Sequence, residues 1–191
     1  MTGLERLLAE PAQLKDAGRV GLLTHPAGVT RDLTPSAVAL LQAGVRLERL
    51  YGPEHGIDGS GQAGEAPEVA TDRQTGLPAH SLYGKNPSEI AGLTAQVDTL
   101  LVDLQDVGVR FYTYVSTLVQ VLEAARQTKT RVVVLDRPNP LGFALEGPVL
   151  EPRFRSFVGA LEVPLRHGLT LGECARLVSP EAQVIPCDPL E

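Results

Sequence analysis

The stretch TLLVDLQDVGVRFYTY, residues 99–114, carries the strongest indication of the fold. It begins with an apolar run, Thr99 to Leu104, that has the length and composition of a buried strand. A loop with aspartate, arginine and tyrosine side chains follows, and then a segment of helical period from Ser116 to Gln127. Strand, polar loop and helix in this order predict one half of a βαβ unit.

The same alternation of strand and helix runs along the chain. The other predicted strands are Val20 to Thr24, Val45 to Tyr51, Ser81 to Tyr83, Arg131 to Leu135, Ser156 to Val158 and Gln183 to Ile185. The other predicted helices are Thr2 to Ala9, Ser36 to Ala43, Pro87 to Leu93 and Leu171 to Val178. Near-continuous apolar strands bounded by helices predict an α/β fold with a doubly wound, mostly parallel sheet and helices on both faces. We expect residues 1–191 to form a single domain.

Composition and charge narrow the class of ligand. The formal net charge is -6 and the isoelectric point is near 5.3, which argues against binding to nucleic acid or to an anionic membrane. Uncharged or sugar-like ligands fit this balance better. Residues 1–8 have no apolar core of the kind a signal peptide needs, so we expect a cytoplasmic protein. Cys174 and Cys187 are interpreted either as buried thiols or as one incidental pair.

Motifs for common cofactors are missing. The first strand continues as LLTHPAG, residues 22–28, which is not the GxGxxG fingerprint, and the chain has no Walker lysine. We therefore expect no dinucleotide, ATP or other cofactor. The carboxylates and histidines of the loops do not have the spacing of metal ligands, so we expect no metal.

Polar side chains cluster at the carboxyl ends of three predicted strands. The strand that ends at Tyr51 leads into GPEHG, residues 52–56, and the strand that ends at Leu135 leads into DRPNP, residues 136–140. The strand through Leu104 leads into Gln105 and the polar loop that follows. Because ligands of open α/β sheets bind at the carboxyl ends of the strands, we predict a polar site at this edge.

Two interpretations stay open for the charged side chains of this edge. Glu54 is either a proton donor, whose pKa must then be raised by burial or by a neighbouring carboxylate such as Asp106, or a solvated loop acid. Arg110 and Arg137 either bind a ligand, through a carboxylate or through bidentate contacts to hydroxyl groups, or form ion pairs with Asp106 and Asp136.

For the remaining candidate residues, both a ligand contact and a structural role stay open. They are His55, Tyr112, Tyr114, Asn139, Glu146 and His167. The glycine-rich segment from Gly52 to Ala79 has little apolar periodicity, and long segments of this kind in compact domains are usually functional or mobile. We interpret it as a candidate lid.

Residues 52–173 also carry a series of short motifs. In chain order these are GPEHG (52–56), AGE (63–65), TGLP (75–78), SLYG (81–84), DLQDVGVRFYTYVST (103–117), VLDRPNPLG (134–142), EGPVL (146–150), SFVG (156–159) and PLRHGLTLGE (164–173). Together the motifs closely resemble the NamZ-type exo-β-N-acetylmuramidases, a family of peptidoglycan-recycling glycoside hydrolases. The resemblance implies a Rossmann-like N-terminal domain followed by a smaller C-terminal domain, with the active cleft between them.

The resemblance also implies a reaction and its residues. The reaction is release of terminal N-acetylmuramic acid from the non-reducing end of peptidoglycan fragments or muropeptides. Glu54 is then the candidate catalytic acid and Asp106 our choice for the second catalytic carboxyl. The substrate-binding candidates are His55, Arg110, Tyr112, Tyr114, Arg137, Asn139, Glu146 and His167. A lactyl carboxylate on the muramic ring would give Arg110 or Arg137 a bidentate partner.

Departures from the family pattern leave other functions open. Ile57 and Asp58 stand where we expect an aromatic and a basic residue, and His25 stands where we expect asparagine. The chain ends at Glu191, about where the second domain should begin, so we expect that domain to be absent and a partner chain or dimer to complete the cleft. The alternatives are a truncated, weakly active or inactive sugar-binding module and a carboxylate-handling enzyme of another Rossmann-like type.

Overall fold

The computed structural model describes residues 1–62 and 70–189. Over these ranges the helices are α1 (Gly3–Ala9), α2 (Ser36–Gln42), α3 (Pro87–Thr94), α4 (Thr113–Thr128) and α5 (Leu171–Val178). The strands are β1 (Val20–Thr24), β2 (Leu47–Gly52), β3 (Ala70–Thr71), β4 (Pro78–Ser81), β5 (Thr99–Asp103), β6 (Arg131–Leu135) and β7 (Gln183–Ile185). Short 3₁₀ helices cover Pro11–Leu14 and Pro152–Phe154. No helix within the described residues is both long enough and apolar enough to cross a membrane.

The strands form one sheet in the order β3-β4-β2-β1-β5-β6-β7. Every neighbouring pair is parallel except β3 with β4. The chain winds outward from β1 to β2 on one side and then returns to place β5 on the other side of β1. The order therefore reverses between β1 and β5, which makes their carboxyl ends the switch point where such sheets bind ligands. The predicted α/β fold class is confirmed.

Apolar side chains cover both faces of the sheet. On one face Ile90 of α3, Leu118 of α4 and Cys174 of α5 pack with the inward side chains of the central strands. On the other face Leu4 of α1 and Leu40 of α2 pack in a second cluster. Because both faces are covered, every residue of the central strands β1 and β5 is buried.

Local sequence signals fix several helix starts. Helix α1 begins with a capping box, in which the Thr2 hydroxyl accepts from the Glu5 amide and the Glu5 carboxylate accepts from the Thr2 amide. Thr170 and Glu173 form the same arrangement at α5. The second helix begins after Pro35 without a side-chain cap, because its N-cap residue is Pro35, whose side chain has no hydrogen-bonding atom.

Some predicted boundaries are wrong. The predicted strand Ser156 to Val158 is a turn, in which the amides of Ser156 and Gly159 donate to each other's carbonyl oxygens, so neither can pair with the sheet. The strand placed at Ser81 to Tyr83 lies earlier, at Pro78–Ser81. Helix α4 begins at Thr113 rather than Ser116, which brings its first turn into the polar loop.

The glycine-rich segment is not structureless throughout. It contains β3 and the first two residues of β4, so part of the candidate lid belongs to the edge of the sheet. Residues 63–69, which include the AGE motif, lie outside the described residues.

Candidate active site

The GPEHG motif forms a tight turn at the carboxyl end of β2. The Gly56 amide donates to the Pro53 carbonyl, and both His55 (φ 71°) and Gly56 (φ 78°) adopt the left-handed conformation. A Cβ at Gly52 would lie 2.5 Å from the Ile57 nitrogen, so the backbone folds back closely on itself there. The turn therefore fixes the direction of Glu54 through its backbone.

Glu54 is half-buried and is held by the first turn of α4. The Thr113 hydroxyl donates to Glu54 Oε2 at 2.9 Å. Tyr83, just after β4, lies beside the same carboxylate, whose negative charge raises the pKa of Tyr83. A hydrogen bond between the two side chains adds to this rise. Three separate chain segments thus meet at the Glu54 carboxylate.

Tyr112 and Tyr114 flank Thr113 at the start of α4. Their rings meet edge to face with centroids 4.6 Å apart, and Tyr114 also packs against the His25 ring at 4.8 Å. Burial raises the pKa of Tyr114, with smaller contributions from Tyr112 and the charge of Glu54. Tyr114 is therefore a neutral hydrogen-bonding group at ordinary pH, and Tyr112, being half-buried, is the tyrosine of the two that faces the surface more.

His25 joins the loops at the switch point. Its Nε2 accepts a hydrogen bond of 2.9 Å from the Gln105 amide, which links the ends of β1 and β5. Burial, together with the charge of Arg137, lowers the pKa of His25 to about 4. The ring is therefore neutral at physiological pH, as an acceptor Nε2 requires.

Asp106 belongs to the same edge but lies beneath its surface. Its side chain is 4% exposed, Oδ2 accepts from the Gly108 amide at 2.8 Å, and His167 Nε2 lies 3.2 Å from Oδ2. The His167–Asp106 approach is within contact distance but poorly aligned as a hydrogen bond, and Asp106 Oδ1 has no protein partner. A role as second catalytic carboxyl therefore requires the 105–112 loop to move and expose Asp106.

The two predicted anion-binding arginines have different surroundings. Arg137 is buried and binds Asp103 through hydrogen bonds of 2.7 and 2.9 Å, and it also donates to the Val29 carbonyl. Its carboxylate partner is thus Asp103 at the end of β5, and not Asp136. Arg110 is half-buried, and its Nη1 donates to the carbonyls of Pro148 and Val163 at 2.7 Å each. Arg110 is the better placed of the two to reach a ligand.

The other predicted contacts hold loops together. Asn139 is buried, donates to the Leu169 carbonyl and accepts from the Leu141 amide. Glu146 is exposed and pairs with Arg166 at 3.2 Å. His55 is half-buried, with Nδ1 3.0 Å from the Gly61 carbonyl. Each is fixed by neighbours within this edge, which gives the loops a defined shape.

Two residues at the Glu54 carboxylate were not among the predicted contacts. Tyr83 lies in the SLYG motif as the last residue of the predicted strand Ser81 to Tyr83, and that position at a strand end was a usable signal. Thr113 gave none, because a threonine near a helix start is usually explained as a cap. Outside the site, Cys174 and Cys187 are free thiols rather than a pair. Within residues 1–62 and 70–189, no three His, Cys, Asp or Glu side chains are grouped to hold a metal ion.

These features define a class of protein. It is a doubly wound α/β domain with a half-buried carboxylate beside its switch point, positioned by a hydroxyl and with tyrosines nearby. The family described as Exo-beta-N-acetylmuramidase NamZ, N-terminal, matches residues 20–189 of this chain. The chain belongs to that family.

Individual relatives agree with this assignment. The Peptidoglycan beta-N-acetylmuramidase NamZ of Bacillus subtilis (strain 168) is 43% identical over 185 residues, which are 96% of this chain and 45% of that protein. Two DUF1343 family proteins of Bacteroides fragilis have similar crystal structures. One has a TM-score of 0.82 at 39% identity, and the match covers 99% of this chain and 48% of that protein. The other has a TM-score of 0.81 at 32% identity, and the match covers 98% of this chain and 52% of that protein. The chain thus spans about half the length of these relatives.

Proposed function

We propose that this chain carries the catalytic carboxylate of a peptidoglycan exo-β-N-acetylmuramidase, with Glu54 as general acid. The observation that carries the proposal is the position of Glu54, at the carboxyl edge of the sheet beside the switch point and held by Thr113. Membership of the family and the name of the Bacillus subtilis relative supply the substrate class, a peptidoglycan-derived glycan or muropeptide.

The geometry suits protonation of a leaving oxygen. A glycosidase needs one protonated carboxyl beside the glycosidic oxygen and usually a second carboxylate. Because Thr113 occupies Oε2, the carboxyl of Glu54 has a fixed orientation, which favours a defined path for its proton. Tyr112 and Arg110 are half-buried on one loop, and our proposal is that Tyr112 contacts the sugar ring and Arg110 its lactyl carboxylate.

The test is hydrolysis of a chromogenic β-N-acetylmuramide by the purified chain. Release of the chromophore that is lost in Glu54→Gln, while the variant keeps its thermal stability, supports the enzyme. Glycan binding without release indicates the alternative, a muropeptide- or sugar-binding module. Release that survives Glu54→Gln contradicts the proposed role of Glu54.

Asp106 remains our prediction for the second carboxylate. Asp106→Asn should reduce release as strongly as Glu54→Gln if Asp106 acts on the substrate. A small loss accompanied by reduced thermal stability would instead assign Asp106 to the support of the 105–112 loop, as its burial indicates.

A further inference from the structure

The ring of His25 presents a hydrogen-bond donor at the carboxyl end of β1. Its Nε2 accepts from the Gln105 amide at 2.9 Å, so the neutral ring must carry its proton on Nδ1. Among residues 1–62 and 70–189, no group accepts a hydrogen bond from this Nδ1–H. His25 is only 7% exposed, yet Nδ1 is not among the unpaired atoms that are sealed from solvent. The donor therefore lies in a recess that a ligand can reach.

Contacts on separate sides hold the ring in one orientation. The Tyr114 ring meets it edge to face, with centroids 4.8 Å apart and planes at 75°. The Gln105 amide holds Nε2, and the His25 carbonyl accepts from the Gly28 amide at 2.8 Å, which fixes the turn after β1. Because the ring cannot turn freely, the Nδ1–H bond keeps one direction, and a ligand that accepts from it does not have to order this side chain.

His25 also lines a cavity of about 230 Å³ at the carboxyl edge of the sheet. The walls come from the loop after β1, from Ile57 and Asp58 after the GPEHG motif, and from the turn that joins β3 to β4. Glu54 is not among the residues that line the cavity, so the cavity is distinct from the surroundings of that carboxylate. Pockets for drug-sized ligands typically measure about 300 to 1,000 Å³, so this smaller cavity suits a single ring.

The lining of the cavity favours an uncharged, hydroxylated ligand. Among the described residues of the lining, Asp58 and Asp72 are the charged side chains, and no lysine or arginine accompanies them. Carboxylates accept hydrogen bonds from hydroxyl groups but repel an anionic group. Pro26 and Ile57 add apolar surface on which the carbon face of a ring can pack. A sugar ring without a carboxylate combines these properties.

We propose that this cavity binds an uncharged N-acetylated sugar, and that the His25 Nδ1–H donates to the carbonyl oxygen of its acetamido group. An amide carbonyl is a good neutral acceptor, and a donor of fixed direction selects it over a group that can only donate. This contact deepens the proposed function, on which it rests for the class of ligand alone. The uncharged sugar of a peptidoglycan fragment would occupy this cavity, apart from the muramic ring with its lactyl carboxylate.

Imidazole ¹H–¹⁵N NMR on residues 1–191 tests the assignment. The spectrum of the protein alone should show the His25 proton on Nδ1, with the His25 signals identified by their loss in His25→Asn. N-acetylglucosamine, titrated into the millimolar range expected for one sugar ring, should shift this Nδ1 signal along a saturating curve. N-acetylmuramic acid, which differs by the lactyl group, should need at least about five-fold higher concentration for the same shift. His80, which does not line the cavity, should keep its signals and is the internal control.

Two substitutions separate a ligand contact from a structural role of the ring. Asparagine places an amide N–H near the position of Nδ1 but gives up that of Nε2, whereas glutamine places an amide oxygen near Nε2 and no donor near Nδ1. We therefore expect His25→Asn to keep the dissociation constant for N-acetylglucosamine within about two-fold, and His25→Gln to raise it about three- to ten-fold. The constants are measured from backbone amide shifts, and thermal unfolding shows that both variants are folded. A structural role through the Gln105 amide would give the opposite order.

Other results would overturn the proposal. A proton on Nε2, unchanged His25 signals with N-acetylglucosamine, or tighter binding by the glutamine variant than by the asparagine variant would each contradict it. Equal or larger shifts with N-acetylmuramic acid would show that the acidic lining does not select an uncharged ring. Glu54→Gln should bind N-acetylglucosamine like the parent chain, because Glu54 does not line the cavity. Failure of the hydrolysis test at Glu54 and failure of binding at His25 are therefore separate results.

Discussion

The hydroxyl of Thr113, the first residue of α4, donates a 2.9 Å hydrogen bond to the carboxylate of Glu54, which lies 59 positions earlier in the chain. The bond joins the loop after β2 to the loop after β5. It fixes one carboxylate oxygen at the edge of the sheet where ligands of this fold bind.

Replacement of Thr113 measures the value of this contact. Thr113→Val keeps the shape of the side chain and removes the donor, so we expect release from a chromogenic β-N-acetylmuramide to fall by about ten- to a hundred-fold, the range for a hydrogen bond to a charged group. Thr113→Ser keeps the hydroxyl and is the matched control, with activity close to that of the parent chain. Equal activity in the Val variant would show that the contact does not position the carboxyl for catalysis.

Because Arg137 and Asp103 form a buried ion pair, we expect the effects of their substitutions on the free energy of unfolding to be strongly coupled. Arg137→Met leaves the Asp103 carboxylate, which is fully buried, without its cation, and we expect the free energy of unfolding to fall by about 3 to 5 kcal/mol. Asp103→Leu alone should cost a similar amount. The double variant should recover much of the loss, because no unpaired charge then remains. Denaturant unfolding of all four proteins gives the coupling, and additive losses would contradict it.

A side chain added at Gly108 should have a steric cost, and the same change at a second glycine, Gly76, serves as the control. Gly108 has φ 78°, and a Cβ there would overlap the amide of Asn139. Gly76 has a similar φ of 72° but open space around it. We expect Gly76→Ala to cost about 1 kcal/mol from backbone conformation. Gly108→Ala should cost roughly 1 to 3 kcal/mol more from overpacking, measured by denaturant unfolding. Equal losses would mean that Asn139 can move away freely.

His25 predicts a pH dependence of stability. Its pKa is lowered to about 4 in the folded chain, from about 6.5 when unfolded, so between these values the unfolded chain binds the extra proton. The free energy of unfolding should therefore fall as the pH drops from about 6.5 to about 4, by up to about 3 kcal/mol from this group.

A variant without the titrating ring isolates this contribution. In His25→Asn the side chain can still accept a hydrogen bond but does not titrate in this range. The difference between the two unfolding free energies should therefore change across the window, while the carboxylates titrate alike in both. Parallel pH profiles for the two proteins would show that His25 does not contribute.

Much of the fold could be predicted from residue patterns. The bounds of β1, β6, β7 and α5 agree with the prediction, because near-continuous apolar runs and the Thr170–Glu173 capping box are local signals. The predicted strand Ser156 to Val158 is wrong because a short run of apolar and polar residues is typical of strands and of turns alike. A strand differs from a turn by its pairing within a sheet, and that pairing depends on residues distant in sequence.

For the site, the sequence by itself determined which segments carry the polar groups, since residues that follow parallel strands must lie at one edge of the sheet. Only the tertiary structure decided what each group does there. Burial and partner choice depend on contacts across the chain: Arg137 turns to Asp103, Asp106 lies beneath the surface against His167, and Thr113 reaches Glu54. A pattern of residues along the chain records none of these distances, because they arise when separate loops pack together.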